Sequence, residues 1–477
     1  MVKREVAKSK NKMWETKCER VEIYMGGTRV SEAWKTIRNL GRDEKQNSKL
    51  ELISIEKWED HYKQLLTENR IEFKLEVPDL KNAKDIDVNE ISVNEIKKAL
   101  KNSKNGKAAG PGNIFIELIK QGPDILLEIL ADIFNRCLIK NENIPEDWNL
   151  AYISSIFKKG DKKRCSNYRG ISLTSSMGRL YGRILKERVE ESFEEIEEQG
   201  GFRAGRSCTD NIFVLQQIIE KRRARNLDTH LVFIDLEKAY DTVPLKKLFE
   251  ILVEANEALK NWRRKSRAMG IEIDNHCLST LFFADDQVIV AGCEEDADYM
   301  LRKLDEEYDR WGLNINLTKT EYLKVGEEQT EDPKLHIHEI KRCSEYKYLG
   351  SIISEEENSK KDIHSRVQQG KKVIGLLNPL LWSNKTSIQT KIRIYKAIVD
   401  PILTYGAECW QFTAKERRMV ESVEMDFLRR ACRILRMEHI RNEEIRQRTR
   451  RIYTSTDNIE SRQLLWYGHV KRVGWER

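Results

Sequence analysis

The chain has 477 residues, enough for two or three domains with cores of their own. Hydrophobic residues make up 39% and charged residues 34%, which excludes a disordered chain, and no run reaches the ~18 apolar residues of a membrane span. The net charge is +7, and residues 415–477 hold 16 Lys and Arg against 10 Asp and Glu, a local excess suited to a phosphate backbone. A solvated helix face laced with ion pairs reads equally well for any one segment. Nine cysteines without a Cys-x-x-Cys pair argue against a disulfide framework or a structural zinc site. Met1–Lys12 lacks the apolar core of a secretory signal. The expectation is a soluble intracellular protein with reduced thiols, in the cytoplasm, the nucleus or both, and without a membrane partner.

Residues 1 to about 80 are highly charged, carry Trp14, Trp34, Trp58 and Tyr62, and predict short amphipathic helices without a catalytic constellation. Ser92 and Glu95 form a capping box that opens a helix with Ile91, Ile96, Ala99 and Leu100 on its apolar side. Lys101–Gly112 is a basic, Gly-containing loop, read as a linker or as a contact to phosphates. Ile125, Ile129, Ile133 and Phe134 mark the core face of a further helix. Ala151–Phe157 predicts a strand, followed by a turn at Lys158-Lys159-Gly160-Asp161 and a second strand around Asn167–Leu173. Lys158, Lys159 and Arg169 would there make a cationic arm able to close over a triphosphate, or a plain charged surface hairpin. Gly178–Glu198 reads as helix. Beyond it Arg203 and Arg206 stand between glycines, a pattern that lets a nucleic-acid backbone approach closely. The helix Asn211–Arg225 places Ile212, Leu215, Ile218 and Ile219 inward.

Leu231–Val243 begins as an apolar strand and ends it in a carboxylate, Asp235. Pro244–Ala255 starts a helix, and Asn256–Trp262 looks like the end of another. In Ser279–Val290 two short apolar runs flank Asp285 and Asp286, which predicts a hairpin with both acids at its tip. Adjacent carboxylates repel unless a proton or a cation compensates them. Hard divalent ions favour such all-oxygen sites. Asp235, Asp285 and Asp286 together could hold two Mg²⁺ ions, with Mn²⁺ as an alternative, for an in-line phosphoryl displacement. One ion would activate a primer 3′-hydroxyl and the other would neutralise a triphosphate. An isolated Asp-Asp pair reads also as a solvated turn. Glu294–Trp311 predicts an acidic amphipathic helix with Leu301, Leu304 and Trp311 turned to the sheet, and Gly312–Leu317 alternates like a strand leading to Lys319. From Glu355 onward the chain reads helical with breaks at Pro379 and Pro401. His336, His338 and His276-Cys277 lack partners at zinc spacing and are taken as non-metal positions.

Phe-Ile-Asp-Leu-Glu-Lys-Ala-Tyr-Asp at 233–241, with Phe-Ala-Asp-Asp at 283–286, resembles the paired catalytic motifs of reverse transcriptases from non-LTR (LINE-type) retrotransposons. Further blocks follow the family's order over roughly residues 90–410. The resemblance implies an α+β fold of right-hand polymerase architecture, with a ferredoxin-like palm, basic fingers and a helical thumb and C-terminal region. The implied division is a charged helical segment at 1–90, fingers at about 91–229, palm at about 230–353, and thumb with a basic C-terminal region at 354–477. Metal ligation by Asp235, Asp285 and Asp286 is implied, as are nucleotide-phosphate contact by Arg169 and screening of the sugar 2′ position by Tyr240. Arg203 and Arg206 are implied to lie along the template path, and Tyr348 and Gly350 on the strand that grips the primer end. The aromatics of Tyr346–Gly350 read as well as packing under the sheet. Lys319 is implied to approach the leaving pyrophosphate, an exposed strand-end lysine being the alternative. The implied partners are an RNA template, a DNA primer and deoxynucleoside triphosphates. No endonuclease of the parent element is expected in this chain.

One departure stands out. Residues 242–284 are too few for the helix, the Gln-Gly block and the second long helix that the family places between its two acidic motifs. Positioning of reactants supplies roughly 7–11 kcal/mol of such barriers. The expectation is therefore an impaired polymerase, with a catalytically inactive, nucleic-acid-binding remnant as the alternative.

Overall fold

The computed structural model describes residues 2–39, 53–66, 89–139, 143–192, 198–203, 205–236, 257–266, 268–273, 276–310, 313–326, 340–356 and 358–473. They fall into two units, Ser48–Ile196 and the combination of Met1–Asn47 with Glu197–Arg477. Helices α1 (Val2–Gly26) and α2 (Val30–Arg38) belong to the second of these.

The smaller unit holds α3 (Ile55–Leu66), α4 (Val93–Asn102), α5 (Ile116–Lys120), α6 (Asp124–Leu138), α7 (Glu146–Asn149), β1 (Ala151–Phe157), β2 (Tyr168–Thr174) and α8 (Ser176–Ser192). The capping box at Ser92 and Glu95 is formed, and Ile91, Ile96, Ala99 and Leu100 are buried as expected. Arg188 of α8 binds Glu95 at 2.7 Å and holds its carboxyl down at about 2. The reading of α6 needs correction. Its buried residues are Leu127, Leu130 and Phe134, while Ile125 and Ile129 are half exposed. The apolar stripe of this helix is wider than its core contact, so spacing alone misplaced the face. Strands β1 and β2 pair antiparallel from Ala151 opposite Thr174 to Phe157 opposite Tyr168. Trp58 of α3 packs edge-on against Tyr168, and the Tyr62 hydroxyl meets Ser155 Oγ at 2.8 Å.

The larger unit continues with α9 (Cys208–Arg223), β3 (Thr229–Ile234), α10 (Glu257–Ser266), β4 (Ile271–Ile273), β5 (His276–Leu278), β6 (Thr280–Phe283), β7 (Asp286–Ala291) and α11 (Glu294–Arg310). Then come β8 (Glu321–Val325), β9 (Lys341–Arg342), β10 (Glu345–Tyr348) and β11 (Ser351–Ser354). One five-stranded sheet has the order β6-β7-β3-β8-β9, with only β8 and β9 parallel. Successive side chains of a strand point to opposite faces. Leu231 and Phe233 accordingly join a core with Ile212, Leu215, Ile218 and Ile219 of α9, while Val232 and Ile234 pack with Met300, Leu301 and Leu304 of α11. Every residue of β3 is buried, because both faces of the sheet are covered; that is why its sequence is a continuous apolar run rather than an alternation. Trp262 of α10 is fully buried on the α11 side and donates to the Met300 carbonyl at 2.8 Å.

The expected strand at Gly312–Leu317 is reduced to one bridge, Ile315 opposite Leu236, and the strand proper is β8, which the sequence reading passed over. Asn316, Thr318 and Lys319 form a turn there instead, with Thr318 Oγ1 donating to Asn316 Oδ1 at 2.7 Å. Trp311 and the proposed helix at Pro244–Ala255 lie outside the described residues, as do His336 and His338.

A helical layer completes the unit with α12 (Asn358–Trp382), α13 (Ile388–Ile394), α14 (Asp400–Leu403), α15 (Ala414–Ala431), α16 (Asn442–Thr449) and α17 (Ser455–Val473). Pro379 sits inside the last turn of α12 rather than breaking it, whereas Pro401 follows a π-helical stretch at Tyr395–Val399 that leads into α14 without a break. Cys18, Val21, Ala33 and Ile37 of the first two helices share a core with Ile374, Leu377, Val423 and Phe427. All nine cysteines are free, and no described helix is long and apolar enough to cross a membrane. The fold is thus of mixed helix and sheet, α+β, as the sequence leads one to expect.

Candidate functional site: a braced carboxylate hairpin

Strands β6 and β7 pair with Phe283 opposite Asp286, which leaves Ala284 and Asp285 as a two-residue turn. Such turns need positive φ to match the twist of the strands, a geometry glycine adopts most easily. Here Ala284 takes it, at φ +58°. The left-handed region costs a non-glycine residue about 1–2 kcal/mol, so the tip must be held from outside. Gly200 and Gly201 hold it. The Gly200 amide donates to Phe282 O at 2.8 Å, Phe282 N donates to Glu198 O at 2.9 Å, and Gln199 Oε1 accepts from Ala284 N at 3.0 Å. A Cβ at Gly201 would overlap the Ala284 amide nitrogen, so only glycine lets the two backbones approach this closely. Asn211 of α9 adds a bond from Nδ2 to Phe282 O at 2.9 Å. Sequence reasoning took the Gly-Arg block as a nucleic-acid contact and missed this bracing; the Gly200-Gly201 pair was the available signal.

Asp235 arrives by the neighbouring strand. The β3–β7 ladder ends with Ile234 opposite Gln287, so Asp235 and Asp286 follow on the next rung. The backbone around Asp235 is fixed on its other side, where its carbonyl accepts from Asn316 N at 2.7 Å and its amide donates to Thr320 Oγ1 at 3.4 Å. Lys319 Nζ reaches Asp235 Oδ2 at 2.7 Å. The turn that replaces the expected strand is what delivers this ammonium group. Desolvation, then the charges of Asp285 and Asp235, push the Asp286 carboxyl above its ordinary range. Burial first, then Asp286 and Asp235, push the Tyr346 hydroxyl up to about 12. Two groups thus register the acids as one concentration of negative charge.

Among the described residues no group of three or more His, Cys, Asp or Glu side chains, the three acids included, is close enough together to hold a metal ion. The donor set still suits a hard divalent cation in kind. It offers only carboxylate oxygens, and the Asp286 carboxyl is pushed up first by burial and then by the charges of Asp285 and Asp235, a repulsion that a cation would relieve. At Asp235 the Lys319 ammonium supplies that compensation.

The other residues singled out in the sequence are placed as follows. Tyr348 is buried, with its ring tilted against Phe233 at 5.6 Å and its hydroxyl 3.4 Å from Asn211 Nδ2, while Tyr346 stacks on Phe233 at 4.0 Å. Of the two readings of this strand, packing under the sheet is the one observed. Gly350 has φ +91°, and a Cβ there would press on the Tyr405 ring at 3.0 Å. Arg206 is half-buried, 3.8 Å from Asp210, and Arg203 is half-buried nearby. Lys158, Lys159 and Arg169 belong to the smaller unit, where all three are exposed on the β1–β2 hairpin. Tyr240 lies outside the described residues.

The reverse transcriptase (RNA-dependent DNA polymerase) family profile matches residues 156–263, a span that holds Arg169, Arg203, Arg206 and Asp235 and ends before the Asp285-Asp286 hairpin. The chain is 25% identical over 378 residues to a probable RNA-directed DNA polymerase from transposon X-element of Drosophila melanogaster, covering 66% of this chain and 41% of that protein. It is 24% identical to the RNA-directed DNA polymerase from mobile element jockey of Drosophila funebris, over 68% of this chain and 42% of the relative. A shorter match, 33% identical over 21% of this chain and 14% of the relative, is to the retrovirus-related Pol polyprotein from type-1 retrotransposable element R2 of Popillia japonica. The chain thus spans about two fifths of the length of the two long relatives.

Proposed function

We propose that this chain, which belongs to the reverse transcriptases of LINE-type (non-LTR) retrotransposons, is an RNA-directed DNA polymerase whose turnover is impaired. The observation that carries the reading is the placement of Asp235 and Asp286 one step past the end of the β3–β7 ladder, beside Asp285, with the Asp286 carboxyl pushed up by burial and then by the other two charges. The order β6-β7-β3-β8, with every neighbour antiparallel, supports a ferredoxin-like palm at about residues 230–353. Residues 91–229 are assigned to basic fingers, 354–477 to a helical thumb with a basic end, and 1–90 to a helical N-terminal segment.

Asp235, Asp285 and Asp286 would hold two Mg²⁺ ions, or Mn²⁺. When bound, such ions activate the primer 3′-hydroxyl and neutralise the triphosphate. The chain's own part would be to keep three carboxylates together against their repulsion, a role supported by the Gly200–Gly201 brace on the hairpin and by the central strand. Lys319 balances Asp235 and stands as the candidate proton donor. Arg169, Lys158 and Lys159 are assigned to nucleotide phosphates, Tyr240 to the sugar, and Arg203 and Arg206 to the template RNA. Gly350 is assigned to the primer end, with Tyr348 acting from beneath as packing. The short 242–284 interval favours the second reading, a remnant that binds nucleic acid without extending a primer.

The test is incorporation of labelled deoxynucleotides on a primed RNA template, with Asp285→Asn/Asp286→Asn as control. Weak extension that the control abolishes supports the proposal. Robust extension overturns the impairment, and template binding without any extension overturns the polymerase reading in favour of the remnant.

A further inference from the structure

Helix α9 changes character along one face. Val214, Ile218 and Lys221 follow at steps of four and three residues, so they share that face, and Arg225 lies just past the helix end. Ile218 is buried in the sheet core with Ile271 of β4, and Val214 packs against the same cluster. Lys221 and Arg225 are exposed. The chain then turns at Asn226, φ +54°, and leaves Leu227 44% exposed. A wall of hydrocarbon thus runs into a pair of cations.

The β4–β5 hairpin and the end of α17 stand against this face and enclose with it a cavity of about 490 Å³. Ile273 and Val470, 39% and 40% exposed, line it where it meets solvent. Phe213 lines it with a ring already engaged edge-on by Trp466 at 5.6 Å. The polar groups of the wall are of two kinds. Arg222 donates from Nε and Nη2 to the Asp228 carbonyl at 3.1 and 2.5 Å, and Gln217 Nε2 donates to Glu220 Oε2 at 3.0 Å. Lys221 and Arg225 have no carboxylate partner among the described residues, and Glu272 is the one acid in the lining against these three cations. Apolar side chains left in water beside uncompensated cations lose free energy that a matching ligand recovers.

Size decides the class of occupant. The volume falls within the range of small-molecule sites, about 300–1,000 Å³. A single turn of α-helix, roughly 10 Å across and about 5.4 Å long, would already take up about 420 Å³, which leaves no room for a docked peptide helix. We propose that this cavity binds a medium-chain aliphatic carboxylate, its chain laid along Val214, Ile218 and Ile271 and its head group on Lys221 and Arg225. The branched aliphatic lining gives a flexible chain contact along its length. An aromatic ligand would want a ring face, and the one ring in the lining is taken by Trp466. The site is independent of the polymerase reading. Asn211, near the other end of α9, holds the acid hairpin, and about ten residues of helix, roughly 15 Å, separate it from Lys221.

The test is calorimetric titration of the full chain with butanoate, hexanoate, octanoate and decanoate. Saturable binding is expected, tightening about fourfold for each added CH₂ until the cavity is full. Octanol and octyltrimethylammonium, of like apolar reach without the negative charge, bind more weakly than octanoate. Lys221→Glu with Arg225→Glu weakens octanoate roughly tenfold, two exposed ion pairs being replaced by repulsion, and leaves octanol unchanged. Ile273→Asp weakens both ligands, and so does Val470→Asp on a different element; unchanged melting verifies the fold of each variant. Octanoate carrying a terminal diazirine crosslinks to the Phe213–Ile218 or Ile271–Ile273 peptides. Asp285→Asn/Asp286→Asn leaves binding as it is, so the cavity and the polymerase reading fail separately. The proposal is overturned by the absence of saturable binding, by equal binding of octanol, by affinity independent of chain length, or by crosslinks confined to other segments.

Discussion

The two hairpins that carry charged tips, β1–β2 and β6–β7, are alike in pairing and opposite in setting. Both are antiparallel, and both carry isoleucine and phenylalanine. Yet β1 is exposed along most of its length, whereas β7 is buried at every residue after Asp286. Ile156 is 51% exposed; Ile289 is fully buried between the sheet and α11. The charges of both tips are exposed, and the tips differ instead in what surrounds those charges. Lys158 and Lys159 stand in water, where like charges are well screened, while Asp286 is partly desolvated beside two more carboxylates. Backbone pairing alone therefore does not make a rigid charged tip. A covered sheet and a glycine brace do, and only the second hairpin has them.

The largest expected effect comes from removing that cover. Ile289→Ala costs about 2–5 kcal/mol, the range for deleting buried methyl groups, and Ile156→Ala stays within about 0.5 kcal/mol. Urea unfolding of the two variants measures the contrast, and equal shifts would erase the distinction between the hairpins. A smaller effect is expected at the brace. Gly201→Ala pushes a methyl group into the Ala284 amide and costs about 1–3 kcal/mol. Amide hydrogen exchange at Val288–Ala291 should quicken in this variant, and unchanged protection there would mean that the tip does not depend on Gly201.

Much of this arrangement was legible in the residues. The continuous apolar run Leu231–Ile234 and the acids flanked by Leu281–Phe283 and Val288–Val290 specify buried strands and a hairpin without further help. The capping box at Ser92 was equally plain, since its two residues satisfy each other locally. Contacts between distant segments were not legible. Gln199 and Gly201 brace a turn some eighty residues later, and no periodicity announces a backbone-to-backbone approach. Lys319 finds Asp235 because the chain turns at Leu317–Lys319, a turn that Thr318 supports through its side-chain bond to Asn316. The cavity along α9 depends on the β4–β5 hairpin and the end of α17 meeting that helix, which only the folded chain reveals.

The smallest effect concerns the unit with the exposed hairpin, which is held by its helices rather than by its strands. Arg188 depresses the Glu95 carboxyl to about 2 from an ordinary value of 4.5. A depressed carboxylate stabilises the fold above the unfolded value, and the contribution is lost as pH falls through the folded one. Arg188→Met should thus be less stable than the wild type by up to about 1 kcal/mol at pH 7, with the deficit closing between pH 4.5 and 2. Melting curves across that window test it, and a deficit independent of pH would assign the loss to packing instead.

The measurement that bears most directly on the account is titration of the full chain with Mn²⁺, followed by paramagnetic resonance, beside Asp235→Asn and Asp286→Asn. Saturable binding that weakens roughly tenfold or more in each variant is predicted, because each removes one charge from a shared oxygen site. Equal binding by all three proteins, or none by the wild type, would contradict the claim that these strands bring the acids together to hold a cation.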